Sequence, residues 1–380
     1  MYKAGIERLD EYLDLFKNKR VGLITNPTGV DENFETTIDI LFKKTNLVAL
    51  FSPEHGVRGD LQAGVHLDTY LDEKTGCTVF SLYGETRKPT KEMMDQIDIL
   101  CFDIQDVGAR YYTFIYTMSH AMMACKEYGK EFVVFDRPNP VGGIEVEGTI
   151  LDLEYRSFVG YYPLTQRYGL TPGELSLLYN KEFEIDCKLH VVKMDGWKRS
   201  YHFSDLNRQW VLPSPNIPTI DTLYAYLTTC YFEGTNVSEG RGTAKPFSIF
   251  GAPWMDADKL ISELNKKDLK GVVFRKTYFT PMFSKHKDTL CQGVELYVTN
   301  KDIYKPVSTG YTIIYLIREL FPDFKILDPY RPGGKQMIDL LSGDDNLKTQ
   351  RLSLEEILKK IEEDSKVFKA KKERYHLYEV

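Results

Sequence analysis

Two short segments that follow apolar runs carry carboxyl groups able to act as acids or bases. PEHG (53–56) follows one such run, and Asp103 and Asp106 end another. A carboxyl group held partly out of water has a raised pKa, as a general acid requires, so Glu54 is a candidate acid. The alternative is that Glu54 caps the next helix and that His55 binds a backbone group. Burying Asp103 unpaired would be costly, so we expect it to face a cleft or to pair with Arg110.

Three further polar segments could hold a substrate. DRPNP (136–140) is stiff because each proline restricts itself and the residue before it, although a turn held by Asp136 and Arg137 explains it nearly as well. LPSPNIP (212–218) offers the Asn216 amide as a hydrogen-bonding group for a ligand, and the glycines of EGTNVSEGRG (233–242) let the backbone approach a ligand closely. The predicted substrate contacts are Asn26, Gln105, Arg110, Tyr112, Asp136, Arg137, Asn139, Arg167, Asn216, Glu233, Asn236, Glu239 and Arg241.

The elements that must position these residues follow one repeated pattern. An apolar, β-branched run ends in a polar segment containing glycine or proline, and helical periodicity usually follows. This alternation predicts an α/β fold, a Rossmann-like, mostly parallel sheet with helices on both faces. Ligands of such sheets bind beyond the carboxyl ends of the strands, where the unusual polar residues gather. The predicted strands are 21–25, 47–51, 78–82, 97–104, 131–135 and 189–194, and helices are predicted at 113–129 and from Thr171.

The pattern changes after residue 215. Two short strands are predicted within 270–300, and helices are predicted at 310–320 and 353–372. We therefore expect a Rossmann-like catalytic domain at 1–240 and a smaller C-terminal α+β domain at 241–380 that completes the cleft.

Composition and motifs exclude several classes of protein. A net charge of -6 argues against a nucleic-acid partner, and no apolar run is long enough for an integral membrane segment. No phosphate-binding or dinucleotide-binding glycine motif is present, so we expect no cofactor. The few histidines and six scattered cysteines match no metal-ligand spacing and no disulfide framework, so we expect no metal. The first residues lack the apolar core of a signal peptide, which predicts an extracytoplasmic (periplasmic or secreted) location if a leader was removed and a cytoplasmic one otherwise.

Six motifs in a fixed order resemble the bacterial exo-β-N-acetylmuramidase family, once a family of unknown function. They are PEHG (53–56), SLYG (81–84), FDIQDVGARYYT (102–113), DRPNPVGG (136–143), LPSPNIP (212–218) and EGTNVSEGRGT (233–243). The resemblance implies two domains with a cleft between them. It also implies metal-free, exo-acting hydrolysis of β-1,4-linked N-acetylmuramic acid from the non-reducing ends of peptidoglycan fragments. On this resemblance Glu54 is the catalytic carboxyl group, and His55 and Tyr83 are its neighbours.

Two roles stay open at this stage. Glycoside hydrolysis usually needs a second carboxyl group, and muramic acid carries a lactyl carboxylate that an arginine or oriented N–H groups would bind. The expected partner is a peptidoglycan-derived glycan or a muramic-acid disaccharide, with no prediction for the oligomeric state. A metal-dependent amidase or deacetylase and a non-catalytic carbohydrate-binding protein are the alternatives. Candidates for the second carboxyl group are Asp103, Asp106, Asp136, Glu233 and Glu239, and candidates for the arginine are Arg110, Arg137, Arg167 and Arg241.

Overall fold

A seven-stranded sheet forms the centre of the first half of the chain. The computed structural model describes residues 2–53, 56–58, 69–82 and 87–380. The strands are β1 (Arg20–Thr25), β2 (Asn46–Ser52), β3 (Tyr70–Leu71), β4 (Thr78–Ser81), β5 (Ile99–Asp103), β6 (Glu131–Phe135) and β7 (Lys188–Val192). Their order is β3-β4-β2-β1-β5-β6-β7, and every neighbouring pair is parallel except β3 with β4. The six predicted strands are confirmed, whereas β3, a two-residue edge strand, was not predicted.

The described helices are more numerous than the sequence pattern indicated. The α-helices are α1 (Thr37–Lys44), α2 (Lys91–Met94), α3 (Phe114–Glu127), α4 (Pro172–Glu182), α5 (Ile220–Thr229), α6 (Ala257–Asn265), α7 (Pro306–Leu320), α8 (Met337–Ser342), α9 (Asn346–Thr349) and α10 (Leu354–Lys372). The 3-10 helices are Gly5–Phe16, Leu153–Tyr155, Phe203–Asp205, Cys230–Gly234 and Glu373–Tyr375. The helices predicted at 113–129, 310–320 and 353–372 are confirmed. None of the helices in the described ranges is long and apolar enough to cross a bilayer.

Alternate residues of each strand pack on opposite faces of the sheet. In β5, Leu100 and Phe102 join the core under α3 and α4, while Ile99 and Cys101 join the core under α1 and the 3-10 helix Gly5–Phe16. Side chains of a strand alternate between faces, so a run that is apolar at every position must be covered on both. The prediction of helices on both faces is therefore confirmed.

Thr171 begins α4 as the sequence predicted. Its hydroxyl accepts from the Glu174 N–H at 3.2 Å, and the Glu174 carboxylate accepts from the Thr171 N–H at 3.1 Å. Pro172 occupies the first turn, where no backbone donor is needed. This capping box fixes the start of the helix that leads to β7.

A smaller antiparallel sheet forms the C-terminal unit. Its strands are β8 (Ile249–Ala252), β9 (Val272–Phe279) and β10 (Cys291–Val298), in the order β8-β10-β9. The helices α5, α6 and α7 supply most of the core beside this sheet, and residues of the β5–α3 connection join it. The predicted strands near 271–279 and 293–300 are confirmed, whereas β8, α5 and α6 were not predicted. All six cysteines are buried and free.

Candidate active site

The strand order reverses direction between β1 and β5, which places a crevice at their carboxyl ends. From β1 the chain continues through β2 and β4 on one side and through β5, β6 and β7 on the other. Such a switch point is the usual ligand site of an open α/β sheet. Glu54 and His55 follow β2 in the sequence and Tyr83 follows β4, and these three residues lie outside the described residues. Their catalytic roles therefore stay predictions.

A network of short polar contacts joins the ends of β1 and β5. The Asn26 Oδ1 atom accepts from the Thr28 N–H at 3.0 Å, and the Thr28 Oγ1 atom accepts from the Gln105 N–H at 2.9 Å. Gln105 Nε2 donates to the carbonyls of Asp106 and Pro138, both at 2.8 Å. These hydrogen bonds hold in place Asn26 and Gln105, two residues predicted to bind substrate, at the bottom of the crevice.

Asp103 pairs with Arg137 rather than with Arg110. Arg137 Nε lies 2.5 Å from Asp103 Oδ1 and Nη2 lies 2.8 Å from Oδ2, so the contact is bidentate and completely buried on the carboxylate side. Thr37 donates its hydroxyl to the same carboxylate, and Arg137 also donates to the Val30 carbonyl at 2.9 Å. The pairing of Asp103 with Arg110 that the sequence suggested is therefore wrong. The Asp103 carboxylate and the Arg137 guanidinium neutralise each other at the carboxyl ends of β5 and β6. Neither charge therefore requires a substrate group as its partner.

Asp136 ties β6 to two distant segments. Its carboxylate accepts from the N–H groups of Arg137 and Gly173 at 2.9 and 2.7 Å and from the hydroxyls of Thr171 and Tyr378 at 2.7 and 2.6 Å. Burial raises the pKa of Asp136 to about 7, against the lowering effect of these hydrogen bonds. Of the two side chains predicted to hold this turn, the Asp136 carboxylate does so, whereas the Arg137 guanidinium binds Asp103 of the neighbouring strand β5.

Asp106 is enclosed on the α3–α4 side of the sheet. It accepts from the Tyr168 hydroxyl and from the Gly108 N–H at 2.7 Å, while its Oδ1 atom is buried without a partner among the described residues. Burial raises the pKa of Asp106 to about 6. A carboxyl group with this pKa could exchange a proton near neutral pH, but it has almost no surface through which to reach a substrate.

Arg110 joins the two halves of the molecule. Its guanidinium donates to the carbonyls of Thr149, Leu164, Leu341 and Ser342 at 2.7, 2.6, 3.2 and 2.5 Å, and its side chain is completely buried. These four carbonyls belong to loops of the first half and to α8, so Arg110 holds both against the β5–α3 connection.

Arg167 and Asn139 are also enclosed. Arg167 Nη2 donates to the Val141 carbonyl at 2.5 Å, and Asn139 donates to the Leu170 carbonyl at 2.9 Å while accepting from the Val141 N–H at 3.1 Å. Both side chains are buried. Neither of these predicted substrate contacts presents an open surface.

Three charged residues of the glycine-rich loop and one lysine of the β9–β10 connection form a group that we call the C-terminal ion cluster: Glu233, Glu239, Arg241 and Lys285. Arg241 Nη2 donates to Glu233 Oε1 at 2.6 Å, and its Nε lies 3.4 Å from Glu239 Oε1. Lys285 Nζ lies 2.6 Å from Glu239 Oε2, and the Arg241 guanidinium lies 5.1 Å from the centre of the Phe247 ring. Burial raises the pKa of Glu233, with Arg241 opposing that increase and Glu239 adding to it. Glu233 and Arg241 expose 25% and 30% of their side chains, whereas Glu239 exposes 2%.

Tyr112 connects this cluster to the sheet. Its ring, which is half-buried, lies 5.9 Å from the ring of Tyr226, and Tyr226 packs edge-on against Phe247. Tyr112 follows β5 by nine positions, so the wall of aromatic rings runs from the sheet edge to the C-terminal ion cluster. Ring contacts thus link Tyr112, through Tyr226 and Phe247, to Arg241 of the cluster.

The two predicted asparagines of the later segments differ in their surroundings. Asn236 donates to the Asp323 carbonyl at 2.8 Å and accepts from the Lys325 N–H at 2.8 Å, so its amide holds a loop. Asn216 is half-buried in the segment 212–218, whose Pro213 carbonyl lies 3.5 Å from the Asn26 Nδ2 atom. Only Asn216 of the two retains an amide that no described contact engages.

A cavity of about 480 Å³ opens at the carboxyl ends of β1, β5 and β6. Thr28, Gln105 and Arg137 form its base, and segments 2–7 and 196–211 form its walls. The wall residues Arg208 and Trp210 were not predicted from the sequence. Their position in NRQW (207–210), a polar run with a tryptophan two residues before LPSPNIP begins, was the signal that could have identified them.

Known proteins match the chain over its whole length. A family model described as exo-β-N-acetylmuramidase NamZ, N-terminal, matches residues 21–221, and its C-terminal counterpart matches residues 224–378. The peptidoglycan β-N-acetylmuramidase NamZ of Bacillus subtilis (strain 168) is 49% identical over 383 residues, covering 99% of this chain and 91% of that protein. Crystal structures of two DUF1343 family proteins from Bacteroides fragilis NCTC 9343 share its fold. The first has a TM-score of 0.90 and 40% identity, the second a TM-score of 0.80 and 32% identity, and each alignment covers 100% of this chain and 99% of the other. The chain therefore belongs to the exo-β-N-acetylmuramidase NamZ family.

Proposed function

We propose that this chain is a glycosidase that releases β-1,4-linked N-acetylmuramic acid from the non-reducing ends of peptidoglycan fragments. The observation that carries the proposal is the 49% identity, over 99% of the chain, to a peptidoglycan β-N-acetylmuramidase. The crevice at the β1–β5 switch point supports it, because that is where an α/β sheet binds its ligand.

Glu54 is the proposed general acid. It follows β2 in the sequence, and β2 pairs with β1, whose carboxyl end contributes to the polar network at the switch point. A general acid there would protonate the glycosidic oxygen as the bond to muramic acid breaks, so that the rest of the glycan leaves as a neutral hydroxyl.

Glu233 is the proposed second carboxyl group. Of the five candidates, Asp103, Asp106, Asp136 and Glu239 are buried and already hydrogen-bonded or ion-paired, whereas Glu233 keeps a quarter of its side chain exposed. Both of its contacts with Arg241 fall on Oε1, so Oε2 is not part of that pair. An exposed carboxylate beside the aromatic wall can activate water or stabilise the positive charge that develops on the sugar ring.

Arg241 is the proposed partner of the lactyl carboxylate. Among the four candidate arginines, Arg110, Arg137 and Arg167 are buried and committed to carbonyls or to Asp103, whereas Arg241 exposes 30% of its side chain. Its contacts with Glu233 and Glu239 use Nε and Nη2, which leaves Nη1 outside the cluster's own pairs. A guanidinium that is already oriented loses less freedom when it binds a second carboxylate.

The direct test is an assay for free sugar. A muramic-acid–glucosamine disaccharide, N-acetylated on both sugars, should yield free N-acetylmuramic acid from its non-reducing end. Binding of the disaccharide without release would instead support a carbohydrate-binding protein, and release of acetate or peptide would support a deacetylase or amidase.

The chain should prefer a β-linked muramic-acid glycoside to the matching glucosamine glycoside, by roughly tenfold to a hundredfold. The two sugars share the ring, the linkage and the acetamido group, and a charge-assisted contact to the lactyl carboxylate contributes about 1.5–3 kcal/mol. Arg241→Gln should remove most of this preference, measured as the ratio of kcat/KM for the two glycosides. Arg275→Gln is the matched control, because Arg275 is an ion-paired and largely exposed arginine on β9, outside the C-terminal ion cluster. An equal loss on both glycosides would give Arg241 a structural role only.

Hydrolysis should persist after prolonged chelation. The sequence offers no metal-ligand spacing, and among residues 2–53, 56–58, 69–82 and 87–380 no three His, Cys, Asp or Glu side chains converge as a metal site would require. The measurement is the rate of muramic-acid release before and after dialysis against a chelator. A loss that added zinc or manganese restores would favour the metal-dependent alternatives.

A further inference from the structure

The connection between β9 and β10, residues 280–290, is docked onto the glycine-rich loop. The Met282 N–H donates to the Gly242 carbonyl at 2.9 Å, and His286 Nε2 lies 2.7 Å from the Asn236 carbonyl oxygen. Gly242 has a φ of 81°, and a Cβ atom at its position would lie 2.6 Å from a carbonyl oxygen of the connection. The two backbones therefore approach each other as closely as only a glycine allows.

Lys285 is the side chain through which the connection enters this loop. Its Nζ atom donates to the carbonyls of Phe232 and Thr235 at 2.5 and 3.1 Å, and it lies 2.6 Å from Glu239 Oε2. An ammonium group has three N–H donors, and these three oxygens surround it. Because one carbonyl precedes Glu233 in the sequence and the other follows it, Lys285 holds the backbone on both sides of Glu233.

The backbone on both sides of Lys285 is strained. Ser284 and His286 have φ values of 68° and 56°, in the left-handed region that residues other than glycine rarely adopt. Such conformations persist where the surrounding structure enforces them, and they are concentrated at functional sites. The contacts with the glycine-rich loop therefore stabilise the conformation that presents Lys285 to it.

Lys285 also ends a chain of four alternating charges. It pairs with Glu239, and Glu239 Oε1 lies 3.4 Å from Arg241 Nε. Arg241 Nη2 in turn donates to Glu233 Oε1 at 2.6 Å. Glu239 exposes only 2% of its side chain, and a carboxylate buried to this extent needs opposite charge beside it. Without Lys285, Glu239 would depend on Arg241 alone and would compete with Glu233 for the same guanidinium.

The charges around Glu233 act on its pKa in opposite directions. Burial raises the pKa of this carboxyl group, Arg241 lowers it and Glu239 raises it. Lys285 lowers the pKa of Glu233, as Arg241 does. The ionised form of Glu233 therefore depends on the two cations of the C-terminal ion cluster.

The other titratable groups beside Glu233 come from α5 and from the 3-10 helix that follows it. Burial raises the pKa of the Tyr226 hydroxyl and that of the Cys230 thiol well above their usual ranges. Both groups are therefore neutral near neutral pH, and neither takes part in the balance of charge that sets the ionisation of Glu233.

We propose that Lys285 is a positioning residue of this active site, which holds the backbone around Glu233 and, through Glu239, orients Arg241. This role rests on the proposed function, in which Glu233 acts as a carboxylate and Arg241 binds the lactyl group. The Lys285 ammonium group is occupied by the loop, so it acts through these residues and not on the sugar.

The test is the pH profile of kcat on the nitrophenyl β-glycoside of N-acetylmuramic acid, whose leaving group needs little protonation. A catalytic carboxylate loses activity as the pH falls through its pKa, so the acidic limb of the profile reports Glu233. Lys285→Gln removes a charge that lowers this pKa, so the limb should move to higher pH. Its kcat should also fall by roughly ten- to a hundredfold, since a misplacement of about 1 Å can cost about 10²-fold. Glu239→Gln removes a charge that raises the pKa, so the limb should move to lower pH.

Two further variants separate position from charge. Lys285→Arg keeps the positive charge and should keep the acidic limb of the unmodified chain, with a kcat above that of Lys285→Gln. Lys287→Met is the matched control, because Lys287 is an exposed lysine of the same connection, 3.8 Å from its neighbour Asp288. It should leave both kcat and the limb unchanged. Identical profiles for Lys285→Gln and Lys287→Met, or a lower kcat with an unmoved limb in Lys285→Gln, would overturn the positioning role.

Glu239→Gln decides the question if Lys285→Gln does not fold. It cuts the link between Lys285 and Arg241, so it should also reduce the preference for muramic-acid over glucosamine glycosides. An unmoved acidic limb together with an unchanged preference would overturn the proposed route from Lys285 to Arg241.

The proposed function fails in a different way. If the unmodified chain releases no muramic acid, the hydrolase is refuted. The pKa of Glu233 is then measured by NMR with labelled glutamate carboxyl carbons, its signal being the one missing in Glu233→Gln. A higher pKa in Lys285→Gln but not in Lys287→Met would still support the hold of Lys285 on Glu233, and equal values would overturn it. If muramic acid is released but the limbs do not move, the hydrolase stands and the role of Lys285 is overturned.

Discussion

Replacing Glu54 by glutamine should reduce turnover of the muramic-acid–glucosamine disaccharide by at least about 10²–10⁴-fold. This is the usual contribution of general acid catalysis, and a sugar hydroxyl is a poor leaving group that depends fully on protonation. The nitrophenolate leaving group of a nitrophenyl glycoside needs little protonation. Turnover of that substrate should therefore fall much less. Rates on both substrates, with far-UV circular dichroism to check the fold, measure the difference.

Glu233→Gln is the informative companion variant. A carboxylate that activates water or stabilises the sugar cation acts in the same way whatever the leaving group is, so both substrates should lose turnover equally. Glu92→Gln, an exposed carboxylate of α2, is the matched control and should keep the full rate. For Glu54→Gln, an equal loss of turnover on the disaccharide and on the nitrophenyl glycoside would show that Glu54 is not the general acid. An unchanged rate of this variant would show that Glu54 does not belong to the active site.

Arg137→Met should lower the free energy of unfolding by about 3–5 kcal/mol. The substitution leaves the Asp103 carboxylate in a completely buried position with Thr37 as its remaining side-chain donor, and an uncompensated buried charge has a cost of this size. Denaturant unfolding followed by tryptophan fluorescence measures the change. The double variant Asp103→Leu with Arg137→Met should recover much of the loss, because two apolar side chains can replace a buried pair.

Arg20→Met provides the control for this measurement. Arg20 makes a comparable contact with Asp98 at 2.9 Å, but both side chains are about 40% exposed, so the loss should stay within about 0–1 kcal/mol. If Arg137→Met kept normal stability and lost only substrate turnover, Arg137 would be the substrate contact that the sequence predicted and not a partner of Asp103.

Local patterns in the sequence were sufficient for the sheet and for parts of its helical cover. The six apolar runs became the six parallel strands because residues buried on both faces of a sheet must be apolar at successive positions. The start of α4 was predictable because its cap, proline and glutamate act within four residues. The order of the motifs likewise identified the family, whose models cover both halves of the chain.

Elements whose stability comes from distant contacts were not predictable in this way. The helix α5 contains three threonines and two tyrosines, residues of modest helix propensity, and it is held by its packing against α7 some 80 residues later in the chain. The strand β8 has four residues including a glycine, and it exists because β10 supplies its hydrogen bonds.

The partners of the polar residues were decided by the tertiary structure alone. Asp103 pairs with Arg137, 34 positions later, and not with the nearby Arg110, because β5 and β6 are neighbours in the sheet. Glu239 meets Lys285 of the β9–β10 connection, and the cavity is assembled from five stretches that are far apart in the sequence. The sequence by itself determined which residues are polar at the strand ends. The tertiary structure decided which of these residues pair with one another and which keep exposed surface, as Glu233 and Arg241 do. The physical reason is that a buried charge pairs with whichever partner the fold brings within hydrogen-bonding distance, and distant loops supply those partners.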